Sequence, residues 1–195
     1  YVENYNYEHI DYLETQKNLE ALYYSVWKYT IPPQNIESAS WSIRAFQSSY
    51  GSNLKPLPPE WLKMMEEESN FSNYGSLNLK GCAKKRIDIR SLPTDKPIYE
   101  NPMLPSGGYP FDLNQNSSVN FQEPVFISHT SKDGSWSYIF TSTVSGWVHT
   151  EDIVILDDAT TQEIMSYKKI VVTEDNIPLY NANQYIGRVR IGMVL

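Results

Sequence analysis

Residues 129–140 read His129-Thr130-Ser131-Lys132-Asp133-Gly134-Ser135-Trp136-Ser137-Tyr138-Ile139-Phe140, and this stretch decides the fold. Trp136, Tyr138 and Phe140 alternate with Ser137, Ile139 and Thr141, the period of two that marks a β-strand. Just upstream, Val125, Ile127 and His129 alternate with Phe126, Ser128 and Thr130 in the same way. Lys132-Asp133-Gly134 lies between the two runs, and a glycine there supplies the positive φ that a tight hairpin turn needs. The reading is an antiparallel hairpin in which His129 shares the face of Val125 and Ile127 as a hydrogen-bonded core imidazole.

Working outward, Ile87 and Ile89 alternate with Asp88 and Arg90, Ser145-Gly146-Trp147-Val148 opens another strand, and Ile153 to Leu156 closes the set. About five short strands, with one long Pro/Gly/Asn-rich loop from Pro102 to Ser118, predict a small barrel over residues 85–158. After the polar break at Asp157-Asp158-Ala159-Thr160-Thr161-Gln162, strand signals return at Ile170–Thr173, Ile177–Tyr180 and Tyr185–Leu195. They predict part of a second barrel over 159–195, cut short inside a domain. Residues 1–84 read instead as helical and irregular. Leu19, Leu22, Tyr23, Val26 and Trp27 form a stripe of helical period before Pro32-Pro33, a second helix runs from Ser38 to Tyr50, and a third follows Pro58-Pro59. The chain opens on Tyr1 rather than Met, so a piece upstream is expected.

Composition narrows the function classes. With 16 Lys and Arg against 23 Asp and Glu, the net charge of −7 argues against sequence-independent nucleic-acid binding, which needs a positive surface. The only basic knot is Lys84-Lys85-Arg86. No stretch reaches the length of an apolar membrane span, and a single cysteine excludes an intrachain disulfide or a Cys-rich zinc site. No cofactor or metal is expected. The 15 Tyr and 5 Trp predict that aromatic faces either bind or pack here.

The string from His129 to Tyr138, with Arg90-Ser91-Leu92-Pro93-Thr94, Pro97, Tyr99, Asn101-Pro102, Phe111-Asp112, Asn116-Ser117, Pro124-Val125 and Gly146-Trp147-Val148, resembles the first bacterial SH3 (SH3b) domain of NlpC/p60 cell-wall cysteine peptidases. Tyr24 to Tyr29, Trp41, Tyr50-Gly51 and Trp61 are similar to the N-terminal clip of such enzymes, and Ile177-Pro178-Leu179-Tyr180 with Ile186 to Leu195 to the start of a second SH3b barrel. The resemblance implies a mixed fold: a helical, irregular clip region followed by mainly-β SH3-like barrels. It also implies a γ-D-glutamyl-L-diamino acid endopeptidase as parent, export to the periplasm or cell envelope, and two partners, the peptidoglycan stem peptide and the chain's own catalytic domain. The family's Asp-Cys-Ser-Gly turn and later His do not occur here, so this chain alone is expected to be inactive and to carry no catalytic residue.

Cys82 sits in Gly81-Cys82-Ala83-Lys84, without the neighbours of the family's nucleophile, and reads as a buried or incidental thiol. His9, His129 and His149 are the candidate bases, and none has metal-ligand company. In the family, an acidic group and an aromatic from this barrel help hold the free amino end of the stem peptide. The resemblance gives that carboxylate to Asp112 and the aromatic wall to Tyr138 or Trp136, with Trp147 in the same cluster. Core packing of the rings and turn-capping by Asp112 are the competing readings. Three functions follow: a substrate-gating and targeting segment of an endopeptidase, a stand-alone module binding cell-wall peptide or a protein partner, and a purely structural scaffold. The oligomeric state is left open.

Overall fold

The computed structural model describes residues 11–195; His9 and the first ten residues of the clip lie outside the described residues. Five helices, α1 (Tyr12–Tyr23), α2 (Ile36–Ala39), α3 (Trp41–Ala45), α4 (Pro59–Glu68) and α5 (Asp158–Ser166), accompany nine strands. The strands are β1 (Leu79–Ala83), β2 (Ile87–Arg90), β3 (Gln115–Val119), β4 (Pro124–Thr130), β5 (Trp136–Phe140), β6 (Ser145–His149), β7 (Ile153–Leu156), β8 (Ile177–Asn181) and β9 (Gln184–Val189).

Asp11 caps α1 by accepting from the Leu13 and Glu14 amides at 3.0 Å. The apolar stripe expected from Leu19 to Trp27 is not one helical face. The α-helix stops at Tyr23, and a 3-10 turn over Ser25–Lys28 carries Val26 and Trp27 inward while Leu19 and Leu22 stay exposed. The change of helix type lets the Trp27 indole Nε1–H donate to the Gly81 carbonyl at 2.8 Å. Gly81 is needed there, because a Cβ would stand 2.6 Å from the Val154 carbonyl oxygen. The single helix expected from Ser38 to Tyr50 divides into α2, α3 and a 3-10 turn at Phe46–Ser48, with Asn35 capping α2. In α4 a proline opens the first turn, and Leu62 and Met65 pack with Phe46, Leu92 and Ile98.

Seven strands form one sheet in the order β3-β2-β6-β5-β4-β1-β7, every pairing antiparallel. Strand β1 lies between β4 and β7, so the sheet begins at Leu79 and not at 85. Strand β3 falls inside the expected loop; its polar run Gln115-Asn116-Ser117-Ser118 carries no period-two signal. The expected polar break after Asp157 is instead helix α5, whose first turn Asp157 caps by accepting from the Thr160 amide at 2.7 Å.

Strands β4 and β5 are buried on both faces. Ile89, Val125, Ile127, Ile139 and Val148 fill the sheet's interior. Phe126, Trp136, Tyr138, Phe140 and Trp147 form the opposite face, under Tyr24, Val26, Trp27 and Ala39 of the N-terminal region. The aromatic run is thus on the outside of the sheet and roofed by residues between Tyr23 and Tyr74, an arrangement that gives each layer a second apolar partner. The β4–β5 register shifts between Ile127 and His129, and this bulge moves His129 away from the face of Val125 and Ile127 and onto the ring side.

The C-terminal residues form a β8–β9 hairpin, tied by a Val171–Val194 bridge around Val172, Val189 and Met193. Tyr180, Tyr185 and Ile191 on it are exposed.

Candidate functional site

The four expected site residues occupy three different environments. Asp112 is a latch. Its Oδ1 accepts from the amides of Ile98 and Asn114 at 2.9 Å, and its Oδ2 pairs with the Arg90 guanidinium at 2.8 Å. Arg90 is itself buried, donating to Gln115 Oε1 at 2.8 Å and to the carbonyls of Thr94, Asp95 and Lys96 at 3.3 Å. Buried Asn114 completes the mesh, accepting from the Leu92 amide and donating to the Thr94 carbonyl. A carboxylate so engaged holds two loops together, since a guanidinium and two amides take three of its roughly four acceptor sites.

Tyr138 and Trp147 are wholly packed. Their rings meet edge to face at 5.1 Å, with Phe71 against both. The Tyr138 hydroxyl donates to the Ala39 carbonyl at 3.2 Å and lies 3.1 Å from Ser145 Oγ. Burial pushes this phenol above its usual range. His129 stands among Phe71, Tyr74, Tyr138 and Trp147. Its Nε2 is 3.0 Å from the Ser69 carbonyl, an acceptor only, so Nε2 carries the proton; Nδ1 accepts from Ser128 Oγ at 3.1 Å. Burial lowers its pKa, and the Ser69 contact opposes this in part.

Trp136 is the one expected ring beside an opening. It stacks on His149 with centroids 4.0 Å apart, and His149 Nε2 faces Asp95 Oδ1 at 3.1 Å. With Arg86, Asp88 and the buried Arg90 they line a cleft of about 320 Å³. The structure therefore brings together Trp136 and His149 but keeps Tyr138 and Trp147 on the roofed side and Asp112 beneath its loop. Arg90 and Asp95, which give this cleft its floor and rim, were not singled out in the sequence. Period two places Arg90 on the side of Asp88, and Asp112, Gln115 and three loop carbonyls supply the partners that its buried guanidinium needs.

Cys82 is half-buried, its thiol pushed up by burial, with no imidazole among its hydrogen-bond partners in the described residues. Among the described residues no group of three His, Cys, Asp or Glu could hold a metal ion, and no helix is long and apolar enough to cross a membrane.

Comparison with known proteins matches this geometry. Residues 5–74 match the NLPC_P60 stabilising domain, N term, and residues 97–149 match an SH3 domain of the SH3b1 type. A solved NlpC/P60 endopeptidase from Photobacterium damselae subsp. piscicida shares the fold, with a TM-score of 0.79 at 24% identity over 96% of this chain. This chain spans 46% of that one, a little under half its length. No curated protein matches the chain. Taken with a helical region clasped over an antiparallel SH3b-like sheet, the two matches identify residues 5–74 with the N-terminal NLPC_P60 stabilising domain and residues 97–149 with an SH3 domain of the SH3b1 type, the clip-plus-SH3b pair that the sequence predicts.

Proposed function

We propose that this chain is the non-catalytic, substrate-gating and targeting part of a peptidoglycan stem-peptide endopeptidase in the cell envelope or periplasm. It positions an NlpC/P60 catalytic domain and narrows the approach to its cleft. The observation that carries this reading is the loop between Asn101 and Leu113, which is both apolar and held. Met103 is 88% exposed, Tyr109 82% and Phe111 64%. Large apolar side chains this open on a loop mark a surface for a partner.

The loop is also built to keep its shape. Asn101 Oδ1 accepts from the Met103 amide at 2.9 Å, Gly107 lies so close that a Cβ would meet the Asn101 carbonyl at 1.8 Å, and the Asp112–Arg90 pair fastens the far end. A wall of this kind selects by position: it fixes one end of a cleft so that only a stem peptide with a free amino end fits, and it contributes orientation rather than chemistry. A second reading, a stand-alone module that binds cell-wall peptide, is favoured by the Trp136–His149 cleft alone.

The test is reconstitution with a separately produced NlpC/P60 catalytic domain. Adding this chain should change its cleavage of muropeptides, and the Tyr109→Ser/Phe111→Ser variant should lose most of that effect while folding normally. Equal effects of wild type and variant would refute the role of the loop.

A further inference from the structure

The basic knot Lys84-Lys85-Arg86, left without a role by the function above, does not stand alone in three dimensions. It forms the turn between β1 and β2, and facing it is the end of β9, where Arg188 and, one residue past the strand, Arg190 turn to the same cleft. These five cations line a single cleft of about 250 Å³, and among the described residues no acidic one lines it. Five of the chain's 16 Lys and Arg are gathered there, in a molecule of net charge −7.

The charges are also largely unspent. Lys85 pairs with Asp152 at 2.8 Å. Lys84 donates to the Glu151 carbonyl, Arg86 to Ser118 Oγ at 2.8 Å and Arg188 to the Asn176 carbonyl at 2.7 Å, all neutral acceptors. Among the described residues none of Lys84, Arg86, Arg188 or Arg190 makes a salt bridge. All five side chains belong to exposed residues, so none is neutralised by burial. Like charges repel when gathered in this way, and an anion relieves the repulsion.

From this cleft we infer a binding site for a phosphate-bearing ligand. A carboxylate satisfies one guanidinium fork and leaves the others unmatched. A phosphate group offers enough oxygens and charge to engage two or three cations at once, and Arg is the residue whose planar fork fits it. Leu179 and Ile186 line the same cleft, so the ligand carries a compact, partly apolar body beside its phosphate. The cleft is too small, and the surrounding protein too acidic, for a polyanion lying lengthwise; it takes one phosphate group.

The experiment is calorimetric titration of the whole chain at low ionic strength with phenyl phosphate, a soluble phosphomonoester with a compact apolar body, and with phthalate as a dicarboxylate of comparable charge and size. Vesicles of phosphatidic acid in phosphatidylcholine form a third arm, so that a lipid headgroup is told apart from a free phosphomonoester. The site predicts saturable binding of the phosphomonoester or the vesicles with Kd of about 1 mM or tighter, weakening with salt. It also predicts a loss of at least about tenfold in Arg188→Gln/Arg190→Gln, whose thermal midpoint stays at the wild-type value because both side chains are exposed. Lys85→Gln, already paired with Asp152, should cost less. Phthalate binding as tightly as phenyl phosphate, wild-type affinity in the double variant, or no saturable binding in any arm would each overturn the assignment.

Discussion

His129 is the residue on which the joint between the N-terminal region and the sheet can be weighed. It is reached from Ser69 through Nε2, and Ser128, which donates to its Nδ1, accepts in turn from the Gly75 amide at 2.9 Å. Protonating Nδ1 would leave Ser128 facing two donors, and it would place a charge among four aromatic rings. The folded pKa is therefore below the unfolded value, and the sign follows. The stability from neutral His129 is present above the unfolded pKa of about 6.5 and is lost as pH falls from there toward the folded value. Glu123 works the other way: burial raises its pKa, so its contribution favours folding as pH falls. The variant, not the wild-type slope, is thus the test. His129→Asn should be less stable at pH 7.5 by about 1–3 kcal/mol, and between pH 7.5 and 5.5 its thermal midpoint should fall less, or rise more, than the wild type's. Equal changes would show that His129 is not the titrating group. Sequence reading recognised this imidazole as buried and bonded but put it on the wrong face, because a one-residue bulge inverts the alternation and leaves no mark in the run Val125 to Thr130.

At the scale of elements, what was legible was what carries period. Strands β2, β4, β5 and β6, the Lys132-Asp133-Gly134 turn and α4 follow from alternation, a glycine and a proline. The rest depends on pairing. Strand β1, with Gly81 and Cys82 at its centre, is a strand because β4 and β7 flank it, and β3 is one because Ile87 and Ile89 need a neighbour. Helix α5 had a readable signal in Asp157, an N-cap residue ahead of Ala159-Thr160-Thr161. The Asp112 loop belongs to this scale as well, since an ion pair between β2 and the segment leading into β3 fastens its far end. Asp112→Ala leaves Arg90 buried without its carboxylate, which should destabilise the chain by about 3 kcal/mol. Proteolysis between Asn101 and Asn114 should then be faster than in the wild type. Unchanged stability and cleavage would show that the pair does not hold the loop.

For the whole molecule, the excess of Tyr and Trp now has an account. Tyr23, Tyr24, Trp27, Tyr29, Tyr74, Trp136, Tyr138 and Trp147 are mortar between two layers, the N-terminal region and the outer face of the sheet, and Trp27 pins the layers through Gly81. That explains why strands with a clean period of two are buried on both sides, and why Tyr138 and Trp147, which a groove reading selects, carry no open face. Their identity was readable, but the roof over them was not, since it is made by residues more than 60 positions away. The Met103–Phe111 loop is exposed and the Trp136–His149 cleft opens at the surface, both carried by this packed frame. The proposed gating role is the claim that this frame changes what a catalytic domain accepts. The direct measurement is the rate at which an NlpC/P60 catalytic domain, with and without this chain, cleaves two substrates: a stem peptide with a free L-alanine amine and the same peptide capped at that amine. The account predicts that the chain raises the preference for the free-amine peptide at least about tenfold; the same ratio of rates with and without the chain would contradict it.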